Sequence, residues 1–410
     1  MKNPRVVISH SGKQYSYQTA LALQEVGLLK KYITSLYYKP SEFPYNLVSK
    51  LPKSLSQKLN DKLLKRKFEV KLNGNRIVSV PYFELIELFI KKIPSINKII
   101  DPNTLRNVLF DRYVSKYLIN DCDIFHSFDG CALYSFKKAK EKGIITILDL
   151  PIASYNYSYI LKEEYEKHGK KWEIKGTDRK DGELELADYI LVPSDFVVSS
   201  LIDKGIKQEK IIKIPYGVSL EKFDQCNTKK RDNIFRIIFV GSIGVRKGVH
   251  YLLEAYKQLS LPNSELVLVG YFSGDEKWIL EKYSGIYKHI GKVSYDELPQ
   301  YLKSSDIFVF PSLLEGSALI TYDAMACRLP SIVTENAGSI VRDGIDGFVI
   351  PIKSVEALKE KILTLYKNKE LRITMGENAR KYVDNYTWDK YRQRVSEVIK
   401  DIFMKERGEK

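Results

Sequence analysis

The feature that most restricts the fold is an alternation, along nearly the whole chain, of short apolar runs with amphipathic helical stretches. Strand-like runs fall at 5–9, 123–126, 144–148 and 189–192, and again at 235–240, 265–269, 307–310, 331–333 and 348–350. Short apolar runs separated by helices are the mark of parallel sheets covered on both faces. Val249, Leu252, Leu253, Tyr256 and Leu259 keep the i, i+3, i+4, i+7 rhythm of a helix face, and 388–404 reads as a last amphipathic helix. The first run passes through a loop, HSGK at 10–13, into a helix predicted to reach Leu28. Near IPYGV at 214–218 the chain leaves the first sheet, and the polar stretch 221–234, with KKRD at 229–232, reads as a linker. The expectation is α/β: two Rossmann-like, doubly wound domains, 1–220 and 235–385, facing a central cleft. A chain of 410 residues suits two or three domains.

Composition narrows the class. Apolar residues make up 44% and charged residues 29%, which excludes disorder and fibrous repeats as the main architecture. No apolar run approaches the length of a spanning helix, and MKNPRVVISH runs straight into a strand without the pattern of a signal peptide. Cys122, Cys131, Cys226 and Cys327 are scattered, which argues against a zinc site or a disulfide framework and for a reducing compartment. A cytoplasmic protein is expected, with possible peripheral contact to the inner face of the membrane.

A net charge of +15 favours an anionic partner: nucleic acid, anionic lipid or a phosphorylated substrate. Residues 48–71 hold eight basic and two acidic residues, with Leu51, Leu55, Leu59 and Leu63 every fourth position. That pattern suits a helix lying on an anionic membrane surface, and equally a solvated helix packed on its own domain. The neighbouring YFELIELFI at 82–90 reads as a core helix or as a second membrane-facing element.

Two segments carry chemistry. FVGSIGVRKG at 239–248 runs from a strand through a glycine-containing turn into a helix. Such a turn lets amides approach a phosphate, the helix N-terminus adds positive potential, and Arg246 and Lys247 supply charge for a pyrophosphate. The spacing is neither a P-loop nor GxGxxG. PSLLEGSALITYDAMA at 311–326 is again strand, loop and helix, with Glu315 in the loop and Asp323 two turns into the helix. Two acceptors there suit hydroxyls at separate points of one ligand, and Gly316 allows close backbone approach.

These segments resemble the donor-binding domain of the retaining, family 4 glycosyltransferases of the GT-B fold, whose signature is Glu, seven residues, Glu. GKVSYDEL at 291–298 and VRDGIDGF at 341–348 are similar to two further landmarks of that domain, in order. DIFH at 123–126, ADYILVPS at 187–194 and IPYGV fit the N-terminal domain more loosely. The resemblance implies that Glu315 holds hydroxyls of the transferred sugar, residue 323 the ribose, and Arg246 and Lys247 the diphosphate. It implies further donor contacts from Gly12, Gly241, Val293, Gly316, Ser317, Ala318 and Leu319, a sugar-positioning role for His126, and packing of helix 388–405 back on the first domain. Three departures stand out: Asp at 323 rather than Glu, Ser at 242 where many members carry Arg, and a single glycine in the first loop.

The implied activity moves a sugar from a nucleotide-diphosphate sugar to a glycan or lipid-linked acceptor, with retention, in surface polysaccharide or glycolipid synthesis. No essential metal is expected; the DxD at Asp121-Cys122-Asp123 is short enough to arise by chance. A GT-B epimerase or phosphorylase is the nearest alternative. Nucleic-acid binding rests on charge alone, with no recognisable binding module.

Overall fold

The structure is a computed structural model, and it describes residues 3–12, 15–39, 45–50, 52–54, 56–57, 63, 72–91, 93, 101–172, 177–228, 232–272 and 281–408. By packing, the chain divides into two compact units. The first comprises Met1–Leu150, Gly176–Leu191 and Arg392–Lys410; the second comprises Pro151–Lys175 and Val192–Tyr391.

The N-terminal part runs β1 (Val6–His10), α1 (Ser16–Glu25), β2 (Leu29–Thr34), β3 (Ile77–Ser79), α2 (Tyr82–Lys91), α3 (Pro102–Tyr117), β4 (Ile124–Phe128). It continues with α4 (Leu133–Glu141), β5 (Ile145–Asp149), α5 (Tyr159–Lys167), α6 (Thr177–Leu186), β6 (Tyr189–Val192) and β7 (Ile211–Lys213). Within the first unit the strands lie in the order β3-β2-β1-β4-β5-β6, and their pairs are parallel. β1 (VVISH) and β4 (IFHSF) are buried at every position, a serine and a histidine in each included, as central strands of a parallel sheet covered on both faces are.

The second unit continues with β8 (Phe235–Val240), α7 (Val249–Leu259), β9 (Ser264–Val269), β10 (Lys288–Gly291), β11 (Ile307–Phe310), α8 (Leu319–Ala326) and β12 (Ser331–Thr334). β13 (Gly347–Ile350), α9 (Val355–Lys367) and α10 (Lys369–Val383) follow, and the last helix, α11 (Trp388–Glu406), belongs to the first unit from Arg392 onward. Its sheet has the order β10-β9-β8-β11-β12-β13, again parallel throughout. The chain moves outward from β8 to β9 and β10, then returns to β11 on the other side. β8 and β11 therefore flank a topological switch point, where loops at the strand C-termini diverge and leave a crevice. Phe239 and Phe310 stack at 5.6 Å beneath those loops and close the core under them. α7 buries Val249, Leu252, Leu253 and Ala255 on one face.

The strands read from the sequence are present, and the α/β doubly wound class holds. Four strands escaped the reading: β2, β3, β7 and β10. β2 (LKKYIT) carries two adjacent lysines, and β10 (KHIG) is an edge strand with two exposed positions. The first helix ends at Glu25, short of Leu28, because Gly27 takes a left-handed φ of 76° and the Leu28 N–H donates back to Leu23 O at 2.8 Å.

The core-helix reading of 82–90 is overturned. α2 buries its carboxylates and exposes its apolar side chains: Leu85, Leu88 and Phe89 are exposed, Phe89 by 67%. Glu84 accepts from Ser35 Oγ at 3.0 Å, and Glu87 takes Arg106 at 2.6 Å and Lys91 besides. These ion pairs turn the helix polar side inward. Most of the basic stretch 48–71 lies outside the described residues. The DxD carboxylates are already engaged: Asp121 pairs with Arg5 and Lys30, and Asp123 accepts the Arg5 backbone N–H at 2.8 Å.

Gly248, with φ of 63°, joins the turn after β8 to α7, and a Cβ there would lie 2.0 Å from Pro311 O. Gly285 is equally left-handed at 84°, with no heavy atom within 4 Å of an added Cβ. Gly248→Ala should therefore lower the thermal midpoint well beyond Gly285→Ala, whose cost is confined to the backbone, about 1–2 kcal/mol. Equal losses in paired melting curves would show that the contact with Pro311 does not limit this turn.

Candidate active site

The loop after β8 and the loop after β11 meet at one carboxylate. Glu315 Oε1 accepts from Arg246 Nη1 at 2.6 Å, from Lys247 Nζ, and from Ser312 Oγ at 3.3 Å. Arg246 Nη1 also reaches Leu314 O at 3.0 Å, and Leu313 N–H donates to Arg246 O at 2.9 Å, so the two loops are stitched through backbone as well. Glu315 and Lys247 keep 12% of their side-chain surface and Arg246 keeps 38%. Burial pushes the Lys247 ammonium down to about 8, against the opposing pull of Glu315. A buried group of two cations and one anion leaves a net positive charge aimed at whatever enters.

The Glu315 loop is fixed from two sides. Glu315 N–H donates to Asn336 O at 3.1 Å and Ala318 N–H to Ala337 O at 3.0 Å, while Asn336 Nδ2 donates to Leu313 O at 2.8 Å. On the other side Ala153 N–H donates to Glu315 O at 3.2 Å, and Ser194 Oγ donates to Gly316 O. Any side chain at Gly316 would meet Pro151 O, 1.8 Å from an added Cβ. Glycine is required here by close packing of backbone on backbone, besides whatever a ligand demands. Ser317, Ala318 and Leu319 complete the turn, with Ala318 as the N-cap of α8.

Beside these loops is a largely apolar cavity of about 380 Å³, lined by Val240, Gly241, Ser242, Tyr271, Val293 and Tyr295 among others. Asp323, in the second turn of α8, communicates with it through Tyr295, whose hydroxyl donates to Asp323 Oδ1 at 2.9 Å. Burial raises the Asp323 carboxyl to about 7, with Tyr295 and Lys222 pulling the other way. Lys222 lies over the Tyr295 ring at 4.2 Å.

Thus the structure brings together Arg246, Lys247, Glu315 and the turn 316–319, and it places Gly241, Val293 and Asp323 around the adjoining cavity. Gly12 and His126 belong to the first unit. Gly12 follows β1, its N–H donating to His10 Nδ1 at 3.1 Å. His126 is fully buried within β4, stacked on Phe128, with Nε2 3.4 Å from Asp149 Oδ2. The supporting residues Asn336 and Ala153 gave no sequence signal, because each acts through a long-range contact with main chain. Tyr295 stood in a recognised segment without a role of its own.

Comparison with known proteins bears on the family and the fold. Residues 221–382 match the family model described as glycosyl transferases group 1. An uncharacterized glycosyltransferase of Methanocaldococcus jannaschii, MJ1178, is 30% identical over 219 residues, covering 53% of this chain and 60% of that protein. The UDP-Gal:alpha-D-GlcNAc-diphosphoundecaprenol alpha-1,3-galactosyltransferase of Escherichia coli is 30% identical over 194 residues, covering 43% of this chain and 50% of that one. The matched stretch thus spans a half to three-fifths of each relative. Among solved structures, Anabaena Alr3699/HepE in complex with UDP superposes with a TM-score of 0.62 over 96% of this chain and 99% of that one, at 13% identity. Likeness at this level establishes the fold, which is of the GT-B type with two Rossmann-like units. It corrects the narrower reading drawn from motifs. The matching model is the broad group 1 family, not family 4, and the Glu-seven-Glu signature does not hold here. Position 323 is the shorter Asp, buried against Tyr295, so family 4 membership and the stereochemistry inferred from it do not follow.

Asp323 generates a pH dependence. A carboxyl with pKa about 7 when folded and 3.8 otherwise binds its proton more tightly in the folded state, so stability falls as pH rises from about 4 to about 7 and is level above that. Asp323→Asn, which keeps the acceptor for Tyr295, should melt several degrees higher than the parent at pH 8 and at the same temperature at pH 4. A difference independent of pH would remove the buried carboxyl as its cause.

Proposed function

We propose that this protein is a nucleotide-sugar-dependent glycosyltransferase of surface polysaccharide or glycolipid synthesis. The observation that carries the reading is the Arg246–Lys247–Glu315 cluster at the switch point of a GT-B donor unit, beside an apolar cavity with an acidic residue behind it. In the transfer, the bond between the anomeric carbon and the diphosphate oxygen breaks, the diphosphate leaves with the electron pair, an acceptor hydroxyl oxygen bonds to that carbon, and the hydroxyl proton passes to the leaving diphosphate oxygen. Arg246 and Lys247 face the growing negative charge on the leaving diphosphate, the position where fixed cations lower a barrier most. An arriving diphosphate offers them more charge than Glu315 does. Glu315 is then released from Lys247 to accept hydroxyls of the sugar. Val293 and Gly241 border the cavity that takes the base, and Asp323 with Tyr295 takes the ribose. A nucleotide-sugar epimerase or phosphorylase would use the same cations, and only the need for an acceptor or for inorganic phosphate separates them.

The first test is a thermal-shift panel of UDP, GDP and ADP with the purified chain. One of them should raise the midpoint, since a ligand that binds only the native state stabilises it by mass action. The affinity should weaken above pH 8 as Lys247 loses its proton. Replacing Arg246 and Lys247 by Ala should weaken that diphosphate by at least tenfold. Glu315→Ala should leave diphosphate binding intact and cut sugar transfer by about a hundredfold or more. No shift from any of the three nucleotides would overturn the assignment.

We also propose that the acceptor is lipid-linked and is met at an anionic membrane surface. Support comes from the outward-facing Leu85, Leu88 and Phe89 of α2, from the net charge of +15, and from the diphosphoundecaprenol-linked sugar in the name of the E. coli relative. Among the described residues no helix is long and apolar enough to cross a membrane. Leu88→Glu with Phe89→Glu should reduce co-sedimentation with vesicles containing anionic lipid several-fold, without changing diphosphate binding. Undiminished sedimentation would exclude α2 as the contact.

A further inference from the structure

A second group of chemically active side chains lies in the second unit, apart from Glu315 and its cations. Glu164 sits in the last turn of α5, His168 is the residue on which that helix ends, and His250 is in the first turn of α7. The four-residue spacing puts Glu164 and His168 on one side of the helix. His250 Nε2 lies 3.0 Å from Glu164 Oε1, and His168 Nε2 lies 3.6 Å from the same oxygen. One ligand atom from each residue falls within 4.8 Å of the other two.

These separations match what a small cation demands. A tetrahedral zinc ion at about 2.0–2.1 Å from nitrogen and oxygen ligands spaces those ligands about 3.3 Å apart. The 3.0 and 3.6 Å separations from Glu164 bracket that value, and the two imidazole nitrogens, within 4.8 Å of each other, have to draw together to complete the set. The two imidazoles meet edge to face, 5.9 Å between centroids, so their nitrogens converge and their faces do not stack. Glu164 and His250 are buried, while His168 keeps 29% of its side-chain surface, which leaves a way in from solvent. Outer partners orient the carboxylate: the Tyr251 hydroxyl contacts its two oxygens at 3.0 and 2.9 Å, and Lys167 stands 3.5 Å from Oε2. Lys167 is 56% exposed on a long stem and can swing away when a cation arrives. Two imidazoles and one carboxylate select borderline divalent ions over magnesium or calcium, which prefer oxygen.

We infer that Glu164, His168 and His250 form a binding site for one zinc-class divalent cation per chain, with a fourth position open to water. Such an ion ties the C-terminal end of α5 to the first turn of α7, the helix that begins directly after Arg246, Lys247 and Gly248. Its role is to hold that turn in place. It takes no part in the transfer, and the inference stands whether or not the proposed activity does. None of the cysteines contributes.

The test uses the full chain without a polyhistidine tag, stripped with EDTA and dialysed, then titrated with zinc against a chromophoric chelator. Wild type should take up one zinc per chain and melt at a higher temperature with it, and magnesium should do neither. His168→Gln, at a partly exposed position that tolerates change, should fold like the parent yet bind zinc more than tenfold more weakly. Glu164→Gln should weaken zinc further, and circular dichroism would confirm that it is folded. Cobalt in place of zinc should give the visible absorption of a four-coordinate ion in wild type and lose it in His168→Gln. Substoichiometric uptake by wild type, or equal affinity in wild type and His168→Gln, would overturn the site and leave a hydrogen-bonded cluster.

Discussion

The arrangement of the second unit depends on one carboxylate shared by two loops. Glu315 Oε1 takes a guanidinium, an ammonium and a hydroxyl, and each donor comes from a segment at the C-terminal end of β8 or β11. Without it, Arg246 and Lys247 would be two cations side by side, one of them nearly buried, with no partner at hand. Such a charge is expensive unless paired. The parallel sheet order makes the pairing possible, since only at a switch point do loops from two adjacent strands turn away from each other and leave room between them. The chemistry of the site is therefore set by topology first and by residue identity second. Any sequence that puts β8 beside β11 brings these two loops together; what this chain adds is the pair of cations and the acid between them.

That division explains what was legible in the sequence. β11 and β6 were readable residue for residue, because a strand buried on both faces is an unbroken apolar run, and β8 was too, with Arg236 its one interruption. β2 and β10 were not, since lysines in one and half exposure of the other erase that signal. Glu315, Arg246 and Lys247 were visible because short loops after strong strands are easy to place. Their supports at Ala153, Ser194 and Asn336 act through hydrogen bonds that span from 21 to more than 160 residues of chain, and no local pattern encodes those. The same limit hid the Glu164–His168–His250 cluster. A glutamate and histidine four apart on a helix are unremarkable until a third ligand arrives from another helix.

One misreading and one incomplete reading share a cause. The helical stripe at 82–90 was taken for core because its residues are apolar, yet Ser35 and Arg106 offer partners for Glu84 and Glu87, and burying two satisfied carboxylates decided the orientation. Position 323 was read as an acid with one methylene less reach than a glutamate; what that reading lacked was the partner, a tyrosine from the loop 291–298 that donates to the buried carboxyl. In both places a polar partner supplied from elsewhere in the chain sets the environment of the acid.

Asp323 and Tyr295 also show how a shorter side chain can be accommodated without loss of the polar position. Removing one methylene draws the carboxyl back into α8, where burial raises its affinity for a proton. Tyr295, which lines the cavity, donates to it at 2.9 Å. Lys222 over the ring holds the tyrosine in turn. Tyr295 lines the cavity and Asp323 stands behind it, so the cavity wall carries a phenol backed by a buried acid. The carboxyl thus keeps a polar partner, through a residue that only the folded chain brings within reach.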